Sequence, residues 1–271
     1  MAAGAPSGSY PIESREGEIE RLHIQGAAME PDTVRMLELI GVKPGWHCLD
    51  IGCGPGGITK PMHDKAGPIG RVVGLDANAG FLDHARSRAA KGIEFIHGDA
   101  YHAALPAGSF DLVHMRFVAS TAGNPEQLFR EAIRLAKPGG IVALQEPDMA
   151  TLNCFPPHPT WERLKAALEG AFTVVGADIR LAQKLFALAR HAGLADVQYR
   201  TFVVGVRSID PMVDYLPSTV ESLRGTIIGH NLMTEAALTD DLAACRAHLR
   251  HPDTVFTMYT VAQVWGHTSD K

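Results

Sequence analysis

The chain has 271 residues, 46% of them hydrophobic and 20% charged, with a net charge of −5. That is the composition of a globular protein long enough for one large domain or a core with an inserted cap. The acidic balance gives no basic footprint for nucleic acid, and no apolar run approaches the ~20 residues needed to span a bilayer, so neither is expected as a partner. Cys48, Cys53, Cys154 and Cys245 lack CxxC spacing and read as reduced thiols of a cytoplasmic protein. The thirteen histidines are scattered without HExxH-type spacing and suggest no metal site. "MAAGAPSGSY" has no basic segment leading into an apolar one, so no secretory signal is expected.

Residues 1–9 are a small-residue stretch read as a flexible tail. Ile19, Leu22, Ala27 and Met29 among charges predict an amphipathic helix over 13–29. Pro31 suits the first turn of a second helix, with Val34, Leu37, Leu39 and Ile40 apolar and Gly41 as its stop. "WHCLDI" (46–51) reads as a strand, and "ITKPMHDKAG" as a helix that Pro61 shortens or kinks. "RVVGLD" (71–76) is a second strand, after which Asn78 caps a helix with Phe81, Leu82 and Ala85 on one face. "IEFIHGD" (93–99) and "FDLVHMRF" (110–117) are the third and fourth strands. Asn124-Pro125-Glu126 starts a helix, "KPGG" turns the chain, and "IVALQE" (141–146) is the fifth strand. Strand and helix in alternation argue a parallel sheet with helices on both faces. Ligands of such sheets bind outside the carboxyl ends of the strands.

Beyond residue 150 the texture changes. "NCFPPHPT" is a proline-rich loop, and Trp161, Leu164, Leu168 and Phe172 recur at helical spacing, as expected of core, with the floor of a substrate pocket as the alternative for that face. Asp178 caps a further helix through Leu181, Leu185 and Leu188, stopped by Gly193. "VQYRTFVVGV" (197–206) and "TVFTMYTVAQVWG" (254–266) each read as one strand, with two helical pieces over 210–250 between them. Those exceed what a crossover needs and suggest a lid carrying Met212, Tyr215 and Leu216. The expected organisation is a helical cap over 10–40, a core over 41–206, a lid over 207–250, and the last strand and tail over 251–271. The helix at 159–175 could also serve as a homodimer face.

"LDIGCGPGG" (49–57) places four glycines in six residues directly after a strand. Backbone N–H groups at such a helix N-terminus can face a ligand. The spacing Gly52-x-Gly54-x-x-Gly57 formally satisfies a dinucleotide fingerprint, and S-adenosylmethionine (SAM) is the other reading. Asp50, two residues before the first glycine, would repel a pyrophosphate but suits a ligand bearing an ammonium and a sulfonium. Asp76 can accept both ribose hydroxyls for either ligand. Asp99 in "GDA" is placed for an adenine amino group. An NAD-dependent dehydrogenase is the remote alternative.

"LDIGCGPGG", "VVGLDAN", "IEFIHGDAYHAALP", "FDLVHMRF" and "LAKPGG" stand in the order and spacing of the class I SAM-dependent methyltransferases, and the chain resembles their ubiquinone/menaquinone-biosynthesis-like small-molecule group. The resemblance implies an α/β fold with a Rossmann-like, seven-stranded, mostly parallel sheet, N-terminal helices and a helical lid. It implies that Asp50 with Gly52, Cys53, Gly54 and Gly56 holds the methionyl end of SAM, that Asp76 with Ala77 holds the ribose, and that Asp99 and Ala100 flank the adenine. "SYPIESREGEIERLHIQ" is similar to a bacterial subgroup whose first helix covers the cofactor, which implies that Tyr10, Gln25 and Arg116 lie near it. The function expected is methyl transfer to oxygen, nitrogen or carbon of a small molecule; a SAM-binding protein without methyl transfer is the alternative. Orientation alone can supply ~7–11 kcal/mol of such a barrier, so a general base is needed only for a high-pKa acceptor. Glu146, His158 and His230 are the candidates, with Asp148 beside Glu146 at the end of the fifth strand and His102 and His114 weaker. Some relatives carry a His pair after the fourth strand; Ser120-Thr121 stands here.

Overall fold

The computed structural model describes residues 17–270, and Tyr10 and the tail at 1–9 lie outside them. The first half runs α1 (Glu18–Ile40), β1 (His47–Ile51), α2 (Thr59–Ala66), β2 (Arg71–Asp76), α3 (Ala79–Arg88), β3 (Ile93–His97), β4 (Phe110–Arg116), α4 (Ala119–Ala122), α5 (Pro125–Leu135) and β5 (Ala136–Asp148). The second half runs β6 (Asn153–Phe155), α6 (Pro159–Val174), α7 (Ala182–His191), β7 (Ala195–Phe202), β8 (Gly205–Arg207), α8 (Tyr215–Ser222), α9 (Arg224–Gly229), α10 (Glu235–Leu249), β9 (Val255–Thr257) and β10 (Thr260–His267).

The main sheet has the order β3-β2-β1-β4-β5-β10-β7. β1 to β5 pair in parallel, and β10 is antiparallel to both β5 and β7. This is the seven-stranded, mostly parallel, Rossmann-like sheet expected. Chain order reverses between β1 and β4, which opens a crevice at their carboxyl ends. Asn78 accepts from the Phe81 amide, and Asn124 from that of Gln127 with Pro125 behind it, as the capping pattern requires. Gly41 stops α1 in the left-handed region, its N–H donating to Leu37.

Several elements differ from the reading of the sequence. The two expected N-terminal helices are one, and Pro31 sits inside it. Burial of Met29, Thr33, Met36 and Leu37 along one face holds the helix through the missing hydrogen bond. Pro61 is the third residue of α2, in a first turn that needs no intrahelical N–H donor, so it neither shortens nor kinks the helix. Asp178 does not cap α7; its carboxylate accepts from the Arg180 amide in the turn before the helix. "KPGG" belongs to β5 as a register shift opposite Phe110–Leu112.

The stretches 197–206 and 254–266 are each two strands rather than one. β7 and β10 join the large sheet, while β8 and β9 join β6 in a small antiparallel sheet. The break falls at Val203–Val204 in one stretch and Met258–Tyr259 in the other, bridged by the Met258 amide donating to Val204. With α6, α8, α9 and α10 this small sheet encloses a second apolar core around Trp161, Leu164, Leu216 and Phe256. Trp161 and Phe256 pack with ring centroids 5.1 Å apart. Phe256→Ala should destabilise the protein by about 3–5 kcal/mol, read from the urea midpoint.

Candidate active site

At the carboxyl ends of β1, β2 and β4 lies a cavity of about 910 Å³, bounded by α1, the glycine loop, the segment after β4, and α8. Of the residues singled out from the sequence, Gln25, Asp50, Gly52, Cys53, Gly54, Asp76, Ala77, Asp99, Ala100 and Arg116 line it. Gly56 does not line it, whereas Gly57 does.

Gly52, Gly54 and Gly56 adopt φ of 68°, 53° and 90°, which only glycine takes readily. Their surroundings differ. A Cβ on Gly52 would come within 2.3 Å of Val118 and one on Gly56 within 3.2 Å of Phe95, so these two serve the protein's own packing. A Cβ on Gly54 would meet nothing within 4 Å, which leaves a cradle for a ligand there. Asp76 ties the loop to β2: one oxygen accepts from the Gly54 amide and the other from that of Asn78, both at 2.8 Å. Burial nevertheless holds its carboxyl above the usual range. Asp99 accepts from the Tyr101 amide at 2.9 Å.

Asp50 is 1% exposed, and its Oδ1 lies 2.8 Å from Nδ1 of fully buried His114. Arg116 closes this side of the cavity. Its guanidinium lies between Gly26 of α1 and Gly57 of the loop, 3.6 and 3.7 Å from where Cβ atoms would stand. Burial draws it below its ordinary value, and Asp50 nearby partly offsets that. Among the described residues it makes no hydrogen bond or ion pair, only a contact 5.8 Å from the centroid of the Phe117 ring.

The other half of the cavity is apolar and aromatic. Phe117, Met149, Phe172, Ile179, Tyr215 and Tyr259 line it, with the hydroxyls of Ser120, Thr121 and Thr219. Phe117 has φ 60°, a costly conformation for a bulky side chain, held as its amide donates to Gln145 and its carbonyl accepts from Thr121. The Tyr259 ring meets Phe117 and Tyr215 edge-on, each at 5.8 Å. Gln25 accepts from Arg21 and donates to the Tyr259 oxygen at 2.6 Å, and the Tyr259 hydroxyl in turn donates to that of Tyr215. Burial raises the Tyr259 pKa well above the ordinary value, which makes this group a donor rather than a base.

The three base candidates do not meet here. Glu146 is fully buried behind the wall, accepting from the amides of Ala119 and Ser120 at 2.9 and 3.1 Å. His158 caps α6 and stacks on His248 with centroids 4.4 Å apart, and His230 is an exposed residue at the end of α9. Asp148 accepts from Gln183, and His102 approaches Gln127. Sequence reasoning missed Tyr259 and Phe117. An unbroken strand over 254–266 hides the kink that turns Tyr259 inward, and nothing in "MRFVAS" marks a strained backbone.

Residues 49–144 match the family model described as a methyltransferase domain. The chain is 30% identical over 162 residues to an uncharacterized 37.1 kDa protein of transposon TN4556 from Streptomyces fradiae, a match spanning 59% of this chain and 46% of that one. It is 31% identical over 123 residues to a demethylmenaquinone methyltransferase of Staphylococcus aureus, spanning 45% of this chain and 51% of the other. The chain thus spans about half the length of the curated relatives it matches. In fold it is similar to a SAM-dependent methyltransferase of Aquifex aeolicus, with TM-score 0.53 and 16% identity over 92% of this chain and 99% of that one. These findings bear out the resemblance to the class I SAM-dependent methyltransferases, and they support SAM as the cofactor. Among the described residues no helix is long and apolar enough to cross a membrane.

Burial lifts the Glu146 carboxyl from its ordinary 4.5 to about 7. The folded protein therefore binds more protons than the unfolded chain across that window, and unfolding free energy falls as pH rises through it. Urea titrations from pH 4 to pH 8 should show a loss of up to about 3 kcal/mol from this group. The loss should be absent in Glu146→Gln.

Proposed function

We propose that this protein transfers a methyl group from SAM to a small, largely apolar organic molecule. The observation that carries the reading is one cavity with two unlike halves. Asp50, Asp76, Asp99 and Arg116 ring the half at the strand ends, and aromatic side chains ring the other. The polar half fits SAM: Asp50 Oδ2 accepts no hydrogen bond among the described residues and suits an ammonium. Unpaired Arg116 suits the α-carboxylate, and Gly54 leaves room beside the loop. Asp76 faces the ribose hydroxyls while anchoring Gly54, and Asp99 with Ala100 borders the adenine.

When bound, SAM supplies a methyl group already activated by a positive sulfur. What this chain adds is placement and exclusion of water. Phe117, Phe172 and Tyr259 give a dry, rigid wall against which a planar acceptor can be aligned, and alignment is the main source of rate available. The helices of 207–250 act as the lid, with Tyr215 and Thr219 of α8 reaching the cavity. Of the base candidates Glu146, His158 and His230 none lines the cavity, whose titratable residues on α1 are Arg21, His23 and Glu30, so the reading relies on positioning rather than on a general base. The same observation favours, as a second reading, a SAM-binding protein that does not methylate.

Isothermal titration calorimetry with SAM, S-adenosylhomocysteine and NAD tests the cofactor. Micromolar binding of the first two is expected, with none of NAD. Asp76→Ala should weaken it about tenfold to a few hundredfold. Binding of NAD in place of SAM would sink the reading. Arg116→Met should cost about tenfold or more in affinity, and a smaller loss against a ligand lacking the α-carboxylate would place that group on Arg116. Release of S-adenosylhomocysteine with any acceptor of a phenol, amine and enol panel would remove the non-methylating alternative.

A further inference from the structure

Five polar side chains cross the main sheet in one row beneath α1: Arg200 on β7, Gln263 on β10, Gln145 on β5, His114 on β4 and Asp50 on β1. Arg200 and Gln263, Gln263 and Gln145, and His114 and Asp50 are direct register partners. Gln145, His114 and Gln263 are all fully buried. A row of this kind in a sheet interior is costly unless every group is satisfied.

The direction of each hydrogen bond follows from one end. A guanidinium only donates, so Arg200 Nη1, 2.6 Å from Gln263, must face its amide oxygen. The Gln263 nitrogen then donates to Gln145 Oε1 at 2.8 Å and to the Asp32 carbonyl at 3.0 Å. That turns the Gln145 nitrogen toward His114 Nε2, 2.9 Å away, and toward the Thr33 hydroxyl, which passes its own proton to the Met29 carbonyl. His114 Nε2 is therefore an acceptor, and the imidazole proton sits on Nδ1, facing Asp50 Oδ1 at 2.8 Å. All four bonds run the same way, from a cation at the sheet edge to a carboxylate in the cavity.

We propose that His114 is the positioning residue of the cofactor cavity: as an Nδ1-protonated imidazole it donates to Asp50 Oδ1 and keeps the carboxylate turned toward the cavity. Gln145 and Gln263 relay that tautomer from Arg200. The inference rests on the reading that Asp50 receives the ammonium of SAM. His114 touches neither cofactor nor acceptor in this scheme; it acts through Asp50. The charged and titratable groups along this face are Asp50 and Cys48 of β1, Arg116 of its own strand, Glu30 and Asp32 of α1, and Arg200 of β7. Asp32 also binds the second arm of Arg200, which pins α1 to the start of the row.

Gln263→Glu reverses the relay with almost no change of shape. The new carboxylate still pairs with Arg200 but offers Gln145 only acceptors. The Gln145 amide must turn, its oxygen then meets His114 Nε2, and the proton moves to that nitrogen. The imidazole lone pair on Nδ1 now faces Asp50. Two measurements decide the matter. Histidine-selective ¹⁵N NMR of the unliganded full chain should show His114 protonated at Nδ1 alone in the wild type and at Nε2 in Gln263→Glu. S-adenosylhomocysteine, which keeps the ammonium, should bind the variant about tenfold more weakly at pH 8. A variant that binds more weakly while its His114 spectrum is unchanged has lost packing alone, and that overturns the relay. A wild-type His114 carrying its proton on Nε2 overturns the proposal, as does a folded variant with unchanged spectrum and affinity. Failure of the wild type to bind S-adenosylhomocysteine would overturn the cofactor reading instead, and the wild-type spectrum would still decide the tautomer.

Discussion

A carboxylate buried at the end of β1 is the constraint on which the rest of this structure depends. An ionised group taken out of water is tolerated only when paired and hydrogen-bonded. Asp50 is 1% exposed and meets that condition through a histidine that is itself buried, which must in turn be satisfied from the next strand. The polar row across five strands is the consequence, and helix α1 is tied to it through Asp32 and Thr33. The helix that borders the cavity is thereby registered on the sheet beneath it by directional bonds rather than by apolar contact alone.

The cavity exists because two cores share two chain segments. The large sheet supplies strand ends, and the small sheet with α6, α8 and α10 supplies an apolar wall. The segments 195–207 and 255–267 pass between them, and at the second crossing Tyr259 is turned inward against Phe117 and Gln25. Strain at Phe117 and a break in an otherwise regular strand thus fall together at the aromatic wall of the cavity. Backbone irregularity concentrates at such sites because the surrounding packing over-determines it.

The glycine loop divides its labour in a way the motif alone conceals. Gly52 and Gly56 admit Val118 and Phe95, so the loop is first a packing device that brings α4 and β3 against β1. Only Gly54 opens onto free space, and Asp76 holds it there by its amide. An acid at the end of β2 therefore does two things at once: it shapes the loop and presents oxygen to the cavity.

What the linear sequence determined was the part written in local rules. Short apolar runs in alternation with helical apolar spacing, Asn-Pro caps and glycine stops sufficed for the parallel half of the sheet, whose strands coincide with the expected ones to within two residues except β5, and for the ring of acids at their ends. The helix break expected at Pro31 failed because tertiary burial outweighed one lost hydrogen bond. The split strands failed because apolar residues run on through Val203–Val204 and Met258–Tyr259, and such a run cannot show which sheet each part joins. Glu146, His158 and His230 were placed by position in the chain, and their side chains are spent on helix ends or solvent. Tertiary structure alone decided that His114 faces Asp50, that Gln145 and Gln263 stand between His114 and Arg200, and that Tyr259 reaches Gln25 across 234 positions of sequence. Such pairings follow from register between distant strands, and no local propensity encodes register across a sheet closed by its last strand.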